Sequence, residues 1–330
     1  MRAPIADVSR FTLSHPSHSL RKNARVLVIC HKQLGDMTLL EPTLHKLSLA
    51  AGRPAELLTR SGHAPLVSLM DGVEMTGRAW LRRFDAIFCY DDLDKSAVHA
   101  MLAFAPRKDL LLRAPGEVTK WNRRAFGEIR SPGINDAYLA RYNWDYTIVE
   151  AREPWRPPML RQPPDAWRPE DFSAEDFVLL NSTAGWKSKR WKSSSWAVVA
   201  KGLLDAGVPR IVVTSGGQDW QREHSKKIAD ALGDRALYLG GATRLEEFLW
   251  LTSRARMVIG VDGAASHLAA AFGGKNLTLF FRTNPHNWHF PTERSLALLA
   301  QPGEDADEEN PEYEIADENA AAAALALLRS

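Results

Sequence analysis

The chain has 330 residues, with 42 Lys and Arg against 40 Asp and Glu and a formal net charge of +2. That length suits two domains of about 150 residues, and so balanced a charge excludes the global field of a nucleic-acid binder, leaving only local basic surface. Two cysteines without CxxC spacing exclude a disulfide framework and a zinc knuckle, and no stretch approaches the roughly 20 apolar residues of a membrane span.

Residues 1–24 carry His, Arg and Ser where a signal peptide has an apolar segment, so the chain is expected to be cytoplasmic. Work at the inner face of the cytoplasmic membrane stays open. From Arg25 onward short apolar runs alternate with amphipathic segments, the rhythm of βα units and a parallel sheet. Strands are predicted at 25–30, 55–59, 84–90 and 109–112. Cys30 and Cys89 each end such a run and read as reduced core thiols, with a bridge between them left open. Leu39, Leu40, Thr43, Leu44 and Leu47 share one side of a helix predicted from Met37 to Ala50.

Six prolines at 154, 157, 158, 163, 164 and 169 exclude a helix or central strand and predict a stiff linker over 153–169. Residues 1–152 then form one domain and 170–330 a second. Beyond the linker the rhythm restarts, with strands at 177–181, 210–214, 236–239, 257–260 and 276–281. Helices alternate with them at 194–206, 220–232, 244–253 and 265–272. The segment from Gly303 to Glu314 is acidic and reads as a solvated loop, and the Ala-rich run from Glu318 to Leu328 closes the chain as a helix. Two doubly wound α/β domains of this kind face each other across a cleft at the carboxyl ends of their strands.

Three segments carry chemistry. Gly35-Asp36 stands at the turn from the first strand into the first helix, where a carboxylate can take a proton from a substrate hydroxyl. The glycine is read as permitting a close turn, and a plain Asp N-cap is the competing reading. Asn181 to Lys192 sets four cations among six residues between tryptophans, with Thr183 and other small residues before them. Backbone amides there can approach a diphosphate while Lys189 and its neighbours neutralise the charge growing on a leaving group; a solvated basic loop is the alternative. Val258 to Ala271 reads as strand, tight turn and small-residue helix, with Asp262, Gly263, Ala264, Ser266 and His267 at the helix start. Such a start is an anion site, although by itself Asp262 also reads as a cap and His267 as a core histidine. A fourth segment, Asp92-Leu93-Asp94, matches the D-x-D with which other enzymes hold a divalent ion on a donor diphosphate. The same acids suit a helix mouth near Asp94.

In order and spacing these segments resemble the ADP-heptose:lipopolysaccharide heptosyltransferases of glycosyltransferase family 9, among them the type that adds a side-branch heptose. The Gly-Asp block continues through Met37-Thr38-Leu39-Leu40-Glu41-Pro42, with a proline six residues after the aspartate. Lys189-Arg190-Trp191 precedes a helix, Val213 to Gly217 follows at the next strand, and Gly260 to Ala271 leads to Thr283-Asn284-Pro285 and Trp288. The likeness spans residues 25–290. It implies a GT-B fold and inverting, metal-independent transfer from an ADP-sugar, with no cofactor. Asp36 would be the base; Thr183, Lys189 and the 263–266 turn with His267 would hold the donor, and Asp262 would touch its sugar. Two departures bear on donor choice. Gly263-Ala264 leaves only backbone amides for phosphate, and Phe281 replaces a common glycine, with a ring expected to reshape the donor pocket.

The expected acceptor is an anionic glycolipid met by first-domain cations, among them Arg60, His63, Lys120 and Arg123, within a set that includes Arg107, Lys108, Arg113, Arg124 and Arg130. Peripheral membrane contact goes with such an acceptor, and no nucleic acid is expected. An epimerase or hydrolase of the same shape, or a non-catalytic nucleotide-sugar sensor, remains the alternative.

Overall fold

The computed structural model describes residues 19–241, 243–302 and 313–330. In the first half, strands β1 (Val26–Ile29), β2 (Ala55–Leu58), β3 (Val73–Met75), β4 (Ala86–Cys89), β5 (Arg107–Leu111) and β6 (Glu128–Arg130) form one parallel sheet. Helices α1 (Leu34–Ala51), α2 (Ala64–Ser68), α3 (Asp94–Leu102), α4 (Lys120–Ala125) and α5 (Leu139–Tyr146) join them. The order is β3-β2-β1-β4-β5-β6. Continuous apolar runs suit strands covered on both faces. In β1, Val26 and Val28 enter one core layer and Leu27 and Ile29 the other, as the two-residue period of a strand requires.

The second half repeats the plan. Strands β7 (Val178–Asn181), β8 (Ile211–Thr214), β9 (Ala236–Tyr238), β10 (Met257–Val261), β11 (Asn276–Phe280) and β12 (Ser295–Leu299) are parallel, ordered β12-β11-β10-β7-β8-β9. Helices α6 (Ser193–Asp205), α7 (Asp219–Leu232), α8 (Leu245–Arg254), α9 (Ala264–Ala271) and the short α10 (Pro285–Trp288) connect them. The Ala-rich segment is helix α11 (Asp317–Arg329), packed on α6. Of the expected acidic loop, residues 303–312 lie outside the described residues; Tyr313–Glu314 (β14) pairs antiparallel with Gln301–Pro302 (β13). Residues 1–18 also lie outside them. Among the described residues no helix is long and apolar enough to cross a membrane.

The two halves are joined by more than a linker. Helix α1 packs on α9 and α2 on α8, so that Leu249, Leu268 and Ala271 of the second half belong to the core of the first. The proline-rich segment is stitched into this seam. Leu160 N donates to Ala271 O at 3.0 Å and Arg161 N to Leu69 O at 2.9 Å, one bond to each half. Fully buried Glu41, on α1, accepts both guanidinium nitrogens of Arg156 at 2.8 Å and Met159 N at 3.0 Å.

Candidate active-site cleft

In each sheet the strand order reverses between two central strands, β1 and β4 in the first and β7 and β10 in the second. Loops leaving adjacent strands at such a point diverge to opposite faces and open a crevice. Asp36 follows β1, Lys189 follows β7 and Asp262 follows β10, so the three singled-out segments all occupy switch points.

Helix α1 begins at Leu34, three residues earlier than the sequence predicts, and Gln33 holds the cap position. Asp36 is therefore in the first turn of the helix, and the N-cap reading falls. Its Oδ1 lies 3.4 Å from Arg113 Nη1, and both side chains are partly open to solvent. The Arg113 guanidinium also stands 5.4 Å from the Trp288 ring, which belongs to the second half. Gly35 is required by close approach rather than by a turn. A Cβ there would sit 2.9 Å from Cδ2 of the buried His267 ring, closer than carbon atoms pack, so any side chain at this position would force the imidazole to shift.

On the facing side Asp262 is buried and heavily engaged. Its Oδ2 accepts from Lys189 Nζ at 2.5 Å and from Thr283 Oγ1 at 2.6 Å. Lys189 Nζ also donates to Asp262 O at 3.1 Å and lies 5.4 Å from the Trp186 ring. This sets an ammonium at the mouth of α9, whose N-terminus starts at Gly263 with no side-chain cap. Uncapped amides of a helix's first turn beside a cation are groups able to meet an anion. His267 sits between the two carboxylates, with Nε2 3.7 Å from Asp262 Oδ1. Burial lowers its pKa below the ordinary value, against the opposing pull of Asp262 and Asp36, so the ring stays neutral near pH 7.

Other expected site residues fall elsewhere. Ser266 Oγ is buried, has no hydrogen-bond partner among the described residues, and lies against Gly260. Thr183 Oγ1 accepts from Gly216 N at 3.3 Å, tying the loop after β7 to the one after β8. Phe281 does not reach the cleft: its ring is in the second core with Ile315, Leu327 and Leu328, beneath α11. That overturns the expectation that it reshapes the donor pocket.

The first-domain cations divide. Arg107 and Arg130 both bind buried Asp109 at 2.7 Å, and Lys108 Nζ caps the carbonyls of Ala100 and Ala103, so these three belong to the fold. Arg60 bridges His31 O and Gln33 Oε1 beside the α1 terminus. His63 is buried, its Nδ1 3.1 Å from Thr59 Oγ1, and burial lowers its pKa. Lys120 and Arg123 are exposed on α4. Of the D-x-D pair, Asp92 lies 3.6 Å from Lys32 Nζ while Asp94 accepts from Thr119 Oγ1 at 3.1 Å, so the two carboxylates serve different partners. In the sequence Arg113 is one of the first-domain cations, with nothing to set it apart from the others. Its signal was available: it follows β5 on the same side of the sheet as Asp36 follows β1.

Two doubly wound sheets with their switch points facing one cleft define the GT-B class of glycosyltransferase folds. The chain belongs to glycosyltransferase family 9 (heptosyltransferase), whose model matches residues 140–318, more than half its length. It is 27% identical over 195 residues to lipopolysaccharide heptosyltransferase 3 of Escherichia coli K12, across 59% of this chain and 53% of that protein. The likeness thus spans about half the length of that relative. Among solved structures, a family 9 glycosyltransferase of Veillonella parvula superposes with a TM-score of 0.76 at 14% identity, covering 95% of this chain and 99% of that one. The ADP-heptose lipopolysaccharide heptosyltransferase II of E. coli superposes with 0.72 at 18% identity, covering 92% and 98%.

Proposed function

We propose that the chain is an inverting glycosyltransferase that moves a heptose from an ADP-heptose donor to a hydroxyl of a lipopolysaccharide-core-like acceptor, on the cytoplasmic side of the membrane. Family membership and the names of its relatives support the sugar and the nucleotide. The observation that carries the mechanism is the contact of Gly35 with His267, which brings the Asp36 carboxylate to the same cleft as the Lys189, Asp262 and α9 cluster. In this reading Asp36 removes the acceptor hydroxyl's proton as that oxygen attacks the anomeric carbon. The bond from that carbon to the diphosphate oxygen breaks, and ADP leaves with the electron pair. The α9 amides and Lys189 receive its charge, and Asp262 hydrogen-bonds the sugar. Arg113 and Arg60 are the cations best set to meet an anionic acceptor beside Asp36.

Two outcomes test this reading. Lys189→Ala weakens ADP binding about tenfold by calorimetry and slows transfer as well, because one ammonium meets both the resting phosphates and the developing leaving-group charge. Unchanged ADP affinity would make the loop ordinary surface. Transfer also survives thorough EDTA treatment, since the diphosphate is met by Lys189 and helix amides, and Asp92→Ala or Asp94→Ala costs no more than about 1 kcal/mol of stability. Activity lost in chelator, restored by magnesium or manganese and absent in both variants, would move the donor site to the D-x-D.

A further inference from the structure

Helices α1 and α5 pack on each other, and beside Asp36 a small cavity of about 20 Å³ lies between them. Its walls include Asp36, Arg113, Lys32, Asn143, Tyr90 and Tyr142. A water needs roughly 10–15 Å³, so the cavity holds one group of that size. Asn143 is only 7% exposed, yet its carboxamide has no hydrogen-bond partner among the described residues. Its backbone carbonyl accepts from Thr147 N at 3.2 Å and from Thr147 Oγ1 at 2.6 Å, so the end of α5 is complete without the side chain. The other polar groups at the cavity are engaged. Tyr90 Oη shares a 2.7 Å bond with Thr147 Oγ1, Tyr142 Oη donates to Leu112 O at 2.6 Å, Lys32 Nζ lies 3.6 Å from Asp92 Oδ1, and Arg113 pairs with Asp36. A carboxamide buried without a partner costs stability, and its persistence beside a reacting carboxylate points to a partner that arrives with the substrate.

Size and charge select that partner. A carboxylate or phosphate is larger than the cavity, and the two cations there already face carboxylates, so no surplus positive charge is left to hold an anion. A carboxamide both donates and accepts, which matches a hydroxyl, itself a donor and an acceptor. The cavity adjoins Asp36, so a hydroxyl seated in it and one held at the carboxylate are neighbours on the same sugar ring. Resting on the reading of Asp36 as the base, we propose that Asn143 is a specificity-determining residue that binds a second acceptor hydroxyl, on the carbon next to the one that attacks. The acceptor end of the cleft is thereby selective for a vicinal diol, and anionic groups of the acceptor stay outside this cavity.

The test compares wild type, Asn143→Leu and Asn143→Ala in transfer to a lipopolysaccharide core acceptor lacking the side-branch heptose, with thermal unfolding of the same proteins. Asn143→Leu leaves the seated hydroxyl unpaired, so the acceptor KM rises at least about tenfold while kcat and ADP affinity stay within about threefold. Its thermal midpoint is kept or raised, because the lost carboxamide gives up no hydrogen bond within the protein and leucine favours the helix. Should leucine strain the cavity and lower the midpoint, Asn143→Ala decides: it leaves room for a bridging water, and its acceptor KM must still rise at least about threefold. An acceptor lacking the neighbouring hydroxyl must show the same loss with wild type and no further loss with Asn143→Ala. Folded variants that match wild type in acceptor KM, as a cavity holding only a water would give, would overturn the inference and leave the transfer reaction standing. So would a fall in kcat at constant acceptor KM, the mark of a merely structural change. A wild-type chain that transfers nothing would contradict the transferase reading itself, and the inference with it.

Discussion

Asp36→Asn is expected to fold, to bind ADP as tightly as the native chain, and to transfer sugar at least about a hundredfold more slowly, roughly 2.7 kcal/mol of lost transition-state stabilisation. The amide keeps the shape of the carboxylate in the first turn of α1 but cannot accept the acceptor's proton. Nothing else in the cleft replaces it readily: the Asp262 carboxylate is occupied by Lys189 and Thr283, and His267 is sealed against Gly35. Among the described residues the fold loses a 3.4 Å contact with a partly solvated Arg113 and a first-turn charge on α1, together too weak to unfold the domain. ADP affinity stays constant because the proposed anion site belongs to the other half of the molecule. Near-native turnover in the folded variant would remove Asp36 from the mechanism.

Arg156→Ala is expected to lower stability by about 3 kcal/mol, read as a shift in the urea midpoint at constant slope. Glu41 has no exposed side-chain surface, and truncating Arg156 strips both charge-assisted bonds from it, leaving only Met159 N. A buried carboxylate without its cation carries its full desolvation cost. The figure is set at the low end because the Arg156 side chain is itself 25% exposed, so water relieves part of the penalty. Replacing both partners by apolar residues should cost less than removing the arginine alone. A shift under about 1 kcal/mol would mean that the linker is not anchored through this pair.

The periodic elements were legible because burial on both faces writes itself into β1, β7 and β10 as unbroken apolar runs. Edge strands β3, β6 and β12 were not foreseen. Val73-Glu74-Met75 and Glu128-Ile129-Arg130 are short and half-covered, and charges on an edge are a protection against pairing rather than a strand signal. The cleft motifs were found because the loops at switch points concentrate glycine, acids and cations within a few residues. What escaped depends on contacts between distant segments. Gly35 shows in sequence as a turn residue, and only the approach of His267, more than two hundred positions away, gives its reason. Arg113 looks like any other arginine until Asp36 and Trp288 flank it. The hydroxyl of Ser266 and the ring of Phe281 turn toward the core, a direction that composition does not encode. The proline-rich segment was recognised as non-helical, but its bonds to Glu41, Leu69 and Ala271 make it part of a seam.

The most direct test follows ADP release and product mass together, with purified protein, ADP-heptose, and a lipopolysaccharide core acceptor lacking the side-branch heptose. Transfer requires that ADP appear only when acceptor is present, in equal amount to an acceptor heavier by one heptose and joined with inverted anomeric configuration. ADP released at the same rate without acceptor, or an acceptor whose mass never changes, would contradict transfer and point to a hydrolase or epimerase built on the same two sheets.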